Sequence, residues 1–207
     1  MAKAVVVALG LGLAACESGS GEIGATADGG GSAIDGGTVD GAAVDAGPRK
    51  RVFVTAANWT GNLRLAGGTE TGVEGGDVLC NDAAAGAQLG GSWQAWLGTT
   101  GLTAKERIHW SGPWYLVDGT TLVFASREQL ASNPTSAILL EESGEQVEPG
   151  TWVWTGSHVA DLDCGGWTSD ETAVDGMTGQ PSATSNDWQE YVDFQCSQQM
   201  RLYCFEE

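Results

Sequence analysis

Positive charge and histidine are what this chain most lacks. Nine Lys and Arg stand against 27 Asp and Glu, a formal net charge of −18, and the histidines are two, His109 and His158. A surface this acidic repels phosphate backbones and anionic lipid heads, so nucleic acid is not expected as a partner; cations or cation-bridged ligands are. The signatures of catalysis are missing as well: no GxSxG elbow, no HExxH, no Walker loop and no GxGxxG before a helix. Ser157 precedes His158, but neighbours on one strand point to opposite faces and cannot pair as nucleophile and base. Nothing spaces the two histidines for zinc. A non-catalytic protein is expected.

The N-terminal apolar run, Ala4 to Leu13, has ten residues and follows Lys3. It is too short to span a bilayer and right for a secretion signal. It ends in Leu13-Ala14-Ala15-Cys16, which resembles the bacterial lipoprotein signal. That resemblance implies cleavage before Cys16, lipidation of its sulfur and attachment of residues 16–207 to a membrane through the lipid, since several acyl chains on one residue anchor stably. Glu17 in place of an aspartate leans towards the outer membrane, in a periplasmic or surface-exposed position. Residues 16–48 then form a linker of Gly, Ala, Ser, Thr and Asp, with too little apolar area to offset the entropy of ordering. For about 32 residues the mean reach of such a tether is roughly 30 Å.

Residues 49–207 are expected to be one folded domain. Removing six linker acids and Lys3 leaves 21 acidic and 8 basic residues, so the domain stays near −13. Arg51 to Thr55 reads as a first strand. Gly76 to Ala85 reads as a helix with Asp77 as N-cap and Cys80 and Ala84 on one face, closed by Gly90-Gly91. Trp93 to Gly98 reads as a buried strand, and Thr103 to Glu106 has the capping-box pattern. Trp114 to Val117 and Thr120 to Ala125 flank Asp118-Gly119 as a hairpin with a two-residue turn. Ser126 with Gln129 caps a short helix, and Ala137 to Leu140 is a further strand. Thr151 to Thr155 is a strand whose alternation puts Trp152 and Trp154 on one face. Short helices and many short strands make an α+β domain. Five cysteines are an odd count; with Cys16 set aside, four allow three connectivities of two disulfides.

The order of a helix cysteine, Trp96-Leu97-Gly98, Trp152 and Trp154 before Gly156, an inner cysteine, a long loop and C-x7-C at the end resembles the C-type-lectin-like fold. Pro181-Ser182-Ala183-Thr184 between the inner cysteines is similar to the endostatin-like branch. Ala95-Trp96-Leu97, Gly112-Pro113-Trp114-Tyr115-Leu116-Val117-Asp118-Gly119-Thr120 and Cys196 through Leu202-Tyr203-Cys204 resemble a bacterial lipoprotein-associated domain family of that branch, one with no assigned function. The likeness spans about residues 52–206 and implies the pairs Cys80–Cys204 and Cys164–Cys196, hence an oxidising compartment. Endostatin itself is basic and binds acidic glycosaminoglycans; this acidic domain lacks that patch and the histidine-rich start for its zinc.

The segment from Asp161 to Asp193 reads as a long polar loop and the candidate working surface. It carries Asp161, Asp163, Asp170, Glu171, Asp175, Asp187, Glu190 and Asp193, with Gln180 and Asn186 as amide oxygens. Calcium takes six to eight such oxygens, so a calcium site is a candidate. Gln180-Pro181-Ser182 and Asn186-Asp187-Trp188 are similar to the Gln/Glu-Pro-Asp/Asn and Trp-Asn-Asp elements of sugar-binding C-type lectins. Ser182 departs at the third ligand, the second element has its tryptophan last, and both lie between the inner cysteines. Trp93, Trp96, Trp152 and Trp154 are expected in the core. Trp59, Trp110, Trp114, Trp167 and Trp188 border turns or loops, where an indole can stack on a ligand. The expectation is a non-catalytic recognition or adhesion module for a protein or glycan, with an envelope-structural role in assembly as the alternative.

Overall fold

The computed structural model describes residues 49–156 and 161–207. The signal, Cys16, the linker to residue 48, Ser157 and His158 lie outside them. The predicted first strand is β1 (Lys50–Val54), and the last element, β8 (Arg201–Glu206), is the axis of the sheet. β8 runs antiparallel to β1 on one edge, with Phe53 opposite Cys204. Its other edge is shared by β2 (Trp93–Ala95), paired antiparallel near the C-terminal end, and β5 (Val153–Trp154), paired parallel near the N-terminal end. Outward from β1 lie β3 (Trp114–Leu116) and β4 (Leu122–Phe124); outward from β5 lie β6 (Asp175–Gly179) and β7 (Val192–Gln195). The domain is α+β with a mostly sheet core.

Strand alternation divides the core in two. Phe53, Leu202, Cys204 and Trp154 face helices α1 (Leu63–Gly67) and α2 (Gly72–Gly86). Val52, Val54, Tyr203, Phe205 and Val153 face a layer of turns that includes α3 (Ala104–Arg107) and carries Trp96, Ile108, Leu130 and Trp188. Trp93, Trp114, Trp154, Trp167 and Trp188 are all essentially solvent-free. An aromatic side chain buries about 150–250 Å², worth about 4–6 kcal/mol before entropy is counted. Two disulfides staple the layers: Cys80–Cys204 ties α2 to β8 across 124 residues, and Cys164–Cys196 closes 32. By loop-closure entropy they stabilise by about 4–5 and 3–4 kcal/mol, a large share of a typical total of about 5–15 kcal/mol. Such bonds belong to an oxidising, extracytoplasmic compartment. Among the described residues no helix is long and apolar enough to cross a membrane.

Several local expectations are corrected. The helix starts at Gly72, not Gly76, with Thr71 as N-cap accepting from the Glu74 N–H at 3.3 Å. Asp77 sits inside it, and its carboxylate accepts from the Ala95 N–H at 2.8 Å and from Arg107 at 2.7 and 2.8 Å. The β3–β4 connection is wider than two residues: the Leu116 N–H donates to the Thr121 carbonyl at 2.9 Å, and Asp118 takes the N–H groups of Thr120 and Thr121. Ser126 makes no side-chain cap; Gln129 instead accepts from the Ala125 N–H at 2.7 Å. Leu140 forms one bridge to Gln146 in place of a strand over 137–140. The capping box of α3 is present in full, Thr103 accepting from the Glu106 N–H and Glu106 from the Thr103 N–H.

At the entry to β1 the basic run is engaged with the domain itself. Arg49 lies over Tyr115, Lys50 over Trp110 and Arg51 over Trp93, each guanidinium or ammonium 5.2–5.7 Å from the ring centre. Arg51 also pairs with Glu206 at 2.7 Å. The chain thus enters at the pole where β8 ends. At about 3.3 Å per residue, Arg201 lies about 17 Å away at the opposite pole.

Candidate recognition surface

The segment 161–193 is not one displayed loop. It holds β6, most of β7, a 3₁₀ turn at Asn186–Trp188 and a left-handed turn at Cys164–Trp167. All four residues of that turn have positive φ, from 50° to 69°. Asp163 starts it as a clamp and not as a free ligand: it is 5 % exposed, and its carboxylate accepts from the Gly166 N–H at 3.0 Å and the Thr100 N–H at 2.9 Å. The turn carries Cys164 to Cys196 and drops Trp167 into the core, where its indole N–H donates to the Gly98 carbonyl at 2.9 Å. Trp188 is equally closed to a ligand. It packs on Trp96 and Phe124 at 4.9 and 5.0 Å, with its N–H on the Ser132 carbonyl. Polar neighbours in sequence place neither indole at the surface, because each finds a carbonyl for its one polar atom inside.

The remaining candidates are exposed or half-exposed but dispersed. Asp161 lies just before the left-handed turn. Asp187 accepts from the Ser185 hydroxyl at 2.9 Å, while Asn186 donates to Glu190 at 3.1 Å and accepts from Gln189 at 3.2 Å. Gln180 borders a cleft with Pro181 and Ser182. Among the described residues no group of three or more His, Cys, Asp or Glu is placed to hold a metal ion. The acids proposed for calcium are therefore not gathered into a site. His109 is exposed, and its backbone N–H donates to Glu207 at 2.9 Å.

What the fold does assemble lies at the pole remote from Arg49. The β5–β8 register brings Trp152 beside Arg201, whose N–H donates to the Trp152 carbonyl. The Tyr191 ring rests on Trp152 at 4.8 Å and 33°, and Phe194 supports Trp152 at 5.6 Å. Two clefts share Gly150 and Thr151 of the turn at 148–151, and Trp152 lines the second of them. One, of about 460 Å³, is lined by Leu139, Gln146, Val147, Gln180, Pro181 and Ser182. The other, of about 260 Å³, is lined by Asn58, Trp152, Gln199, Met200 and Arg201. Arg201 is neutralised there by Glu141. A third cleft, of about 180 Å³, lies over Trp96 beside Thr103, Lys105, Gln189 and Glu190. Its polar side chains are already engaged, Thr103 with Glu106 and both Gln189 and Glu190 with Asn186.

Tyr191, Asn58 and Gln199 carry no motif. The only sequence signal for Tyr191 is an aromatic among acids, Glu190 and Asp193, in a stretch 161–200 that holds eight acids and no Lys or Arg. No protein-family profile matches the chain, and no curated protein sequence matches it significantly.

Proposed function

We propose that this protein is a lipid-anchored, extracytoplasmic recognition module with a C-type-lectin-like, endostatin-like domain, and that it binds a protein or glycan ligand without catalysis. The lipoprotein-like Leu13-Ala14-Ala15-Cys16 supports the anchor, and the motif order and the two cysteine pairs support the fold. The observation that carries the reading is the Tyr191–Trp152 stack with the cleft that Trp152 lines, at the pole about 17 Å along β8 from the end where Arg51 pairs with Glu206. The working residues are then Trp152, Tyr191 and Gln180, with the exposed Asn186 and Asp187 at the neighbouring turn and Asp161 peripheral to them.

The test uses the full chain in its native envelope. Tyr191→Ala abolishes ligand capture while thermal unfolding stays within about 2 °C of wild type, since Tyr191 is a surface ring. Indifference to Tyr191→Ala together with a stable envelope complex on crosslinking would instead mark an assembly role. Cys16→Ser moves the protein to the soluble fraction and removes incorporation of labelled fatty acid; retention on the membrane would remove the anchor from the reading.

A further inference from the structure

We propose that the pole remote from Arg49 binds a neutral oligosaccharide, laid as an extended chain across Tyr191 and along the cleft of Asn58 and Gln199, independently of calcium. This rests on the recognition role proposed above and names its ligand class. Tyr191 is 46 % exposed and is the one aromatic among the large apolar side chains left open in the described residues. Trp152 holds its ring from beneath, so the outer face is presented at little further cost in side-chain entropy. A sugar ring has a C–H face that gains by leaving water against an aromatic surface, and a rim of hydroxyls that must keep their hydrogen bonds.

The adjoining cleft supplies those bonds. The side-chain amides of Asn58 and Gln199 are exposed and make no hydrogen bond within the described residues. Each amide offers two donors and one acceptor, as vicinal hydroxyls also donate and accept. Charge narrows the class. Arg201 is paired with Glu141, so among the described residues the cleft is lined by no free cation, and Glu190 and Asp193 flank Tyr191 in sequence. Sulfated or uronic chains are repelled, and a neutral chain is not. Shape separates a saccharide from a polypeptide. A stable protein interface needs about 800 Å² per partner around an apolar centre. This pole offers one open ring and two narrow clefts parted by a turn. At about 260 Å³ the cleft is smaller than the roughly 300–1,000 Å³ of sites that enclose a whole ligand, which suits one ring of a chain lying on the surface.

Isothermal titration of the detergent-solubilised full chain in EDTA tests this with neutral β-1,4-glucan, chitin, α-1,4-glucan and α-mannan hexasaccharides, and with heparin and polygalacturonate hexasaccharides as anionic probes. At least one neutral series binds. Tyr191→Ala weakens it by about tenfold or more, equivalent to about 1.4 kcal/mol. Tyr191→Phe stays within about twofold, the pair Asn58→Ala with Gln199→Ala costs about fivefold, and Leu65→Ala on α1 changes nothing. No heat from any neutral hexasaccharide at about 10 mM, binding of anionic chains alone, loss of binding in EDTA, or binding that survives Tyr191→Ala overturns the proposal. If every saccharide fails while Tyr191→Ala still abolishes capture in the envelope, the saccharide falls and a protein ligand stands; if both fail, recognition at this pole falls with it.

Discussion

Two glycines with the same backbone torsion and different surroundings separate strain from packing in the segment that seats Trp167. Gly166 has φ 69° within the left-handed turn, and a Cβ built there meets nothing within 4 Å. Gly156 has φ 68°, but its Cβ would lie 2.3 Å from the Gly98 carbonyl oxygen and 2.7 Å from Cζ2 of Trp167. For an L-residue the left-handed conformation costs about 1–2 kcal/mol, partly offset because alanine also stiffens the unfolded chain, so Gly166→Ala loses about 1 kcal/mol. Gly156→Ala carries the same torsional cost plus about 1–3 kcal/mol of overpacking against backbone that cannot rotate away, about 2–4 kcal/mol in all. In a domain of this size these correspond to about 3 °C and about 8 °C in Tm. Urea unfolding of the oxidised protein, followed by tryptophan fluorescence at constant m-value, reads both. Equal losses would mean that the Gly156 seat is slack. No loss at Gly166 would mean that the turn from Cys164 to Trp167 is not left-handed in solution.

Arg107, 9 % exposed, spans the Ala95 carbonyl and the Asp77 carboxylate, so Arg107→Ala strands a carboxylate and costs about 3 kcal/mol at pH 7. Burial holds the Asp77 carboxyl above its ordinary value of 3.8 despite the guanidinium, so its ionisation weakens the fold as pH rises from 3.8 through the folded value. Without Arg107 that penalty grows, and the loss shrinks as pH falls and Asp77 takes up a proton; a loss independent of pH from 7 to 4 refutes this. Tyr203 is fully buried with its hydroxyl unpaired among the described residues, and burial pushes its phenol well above the ordinary value. Tyr203→Phe is therefore neutral or stabilising by up to about 1 kcal/mol in urea unfolding, and a loss larger than that would give the hydroxyl a partner. Because the acids of 161–193 are dispersed, 1 mM calcium and chelator give the same Tm within about 1 °C, whereas a site with a Kd near 10 μM would add about 2.7 kcal/mol, about 5 °C or more.

The sequence made legible what local chemistry decides. The capping box at Thr103 needs only Thr103 and Glu106, and β1 announces itself in Val52, Phe53 and Val54. The first turn of α2 was not legible, because Gly72, Gly75 and Gly76 are poor helix formers. They are there for contact: a Cβ on Gly75 would lie 2.1 Å from the Leu63 carbonyl oxygen, so α1 and α2 can meet only where the side chain is missing. Asp77 then read as a cap because the true cap, Thr71, is separated from the apolar face by those glycines. β6, with Asp175, Gly176 and Gly179, has weak strand propensity and no alternation; it is a strand because β5 and β7 flank it.

The same difference in scale explains the candidate site. Polar neighbours in sequence suggest exposure for Trp188 and Trp167, yet burial is set by what the tertiary fold brings opposite them, an aromatic cluster for one and the Gly98 carbonyl for the other. Tyr191 and Trp152 are 39 residues apart in number and meet only through the β5–β6–β7 ladder, with Thr178 between Trp154 and Val192. No motif can encode that meeting, because it depends on register. A one-residue slip of β7 against β6 turns Val192 and Phe194 to the opposite face and takes Tyr191 off Trp152. Register here is held by Cys196, which follows β7 directly and is bonded to Cys164. The inner disulfide, legible as a pair of cysteines, thus fixes an aromatic platform that was not legible at all.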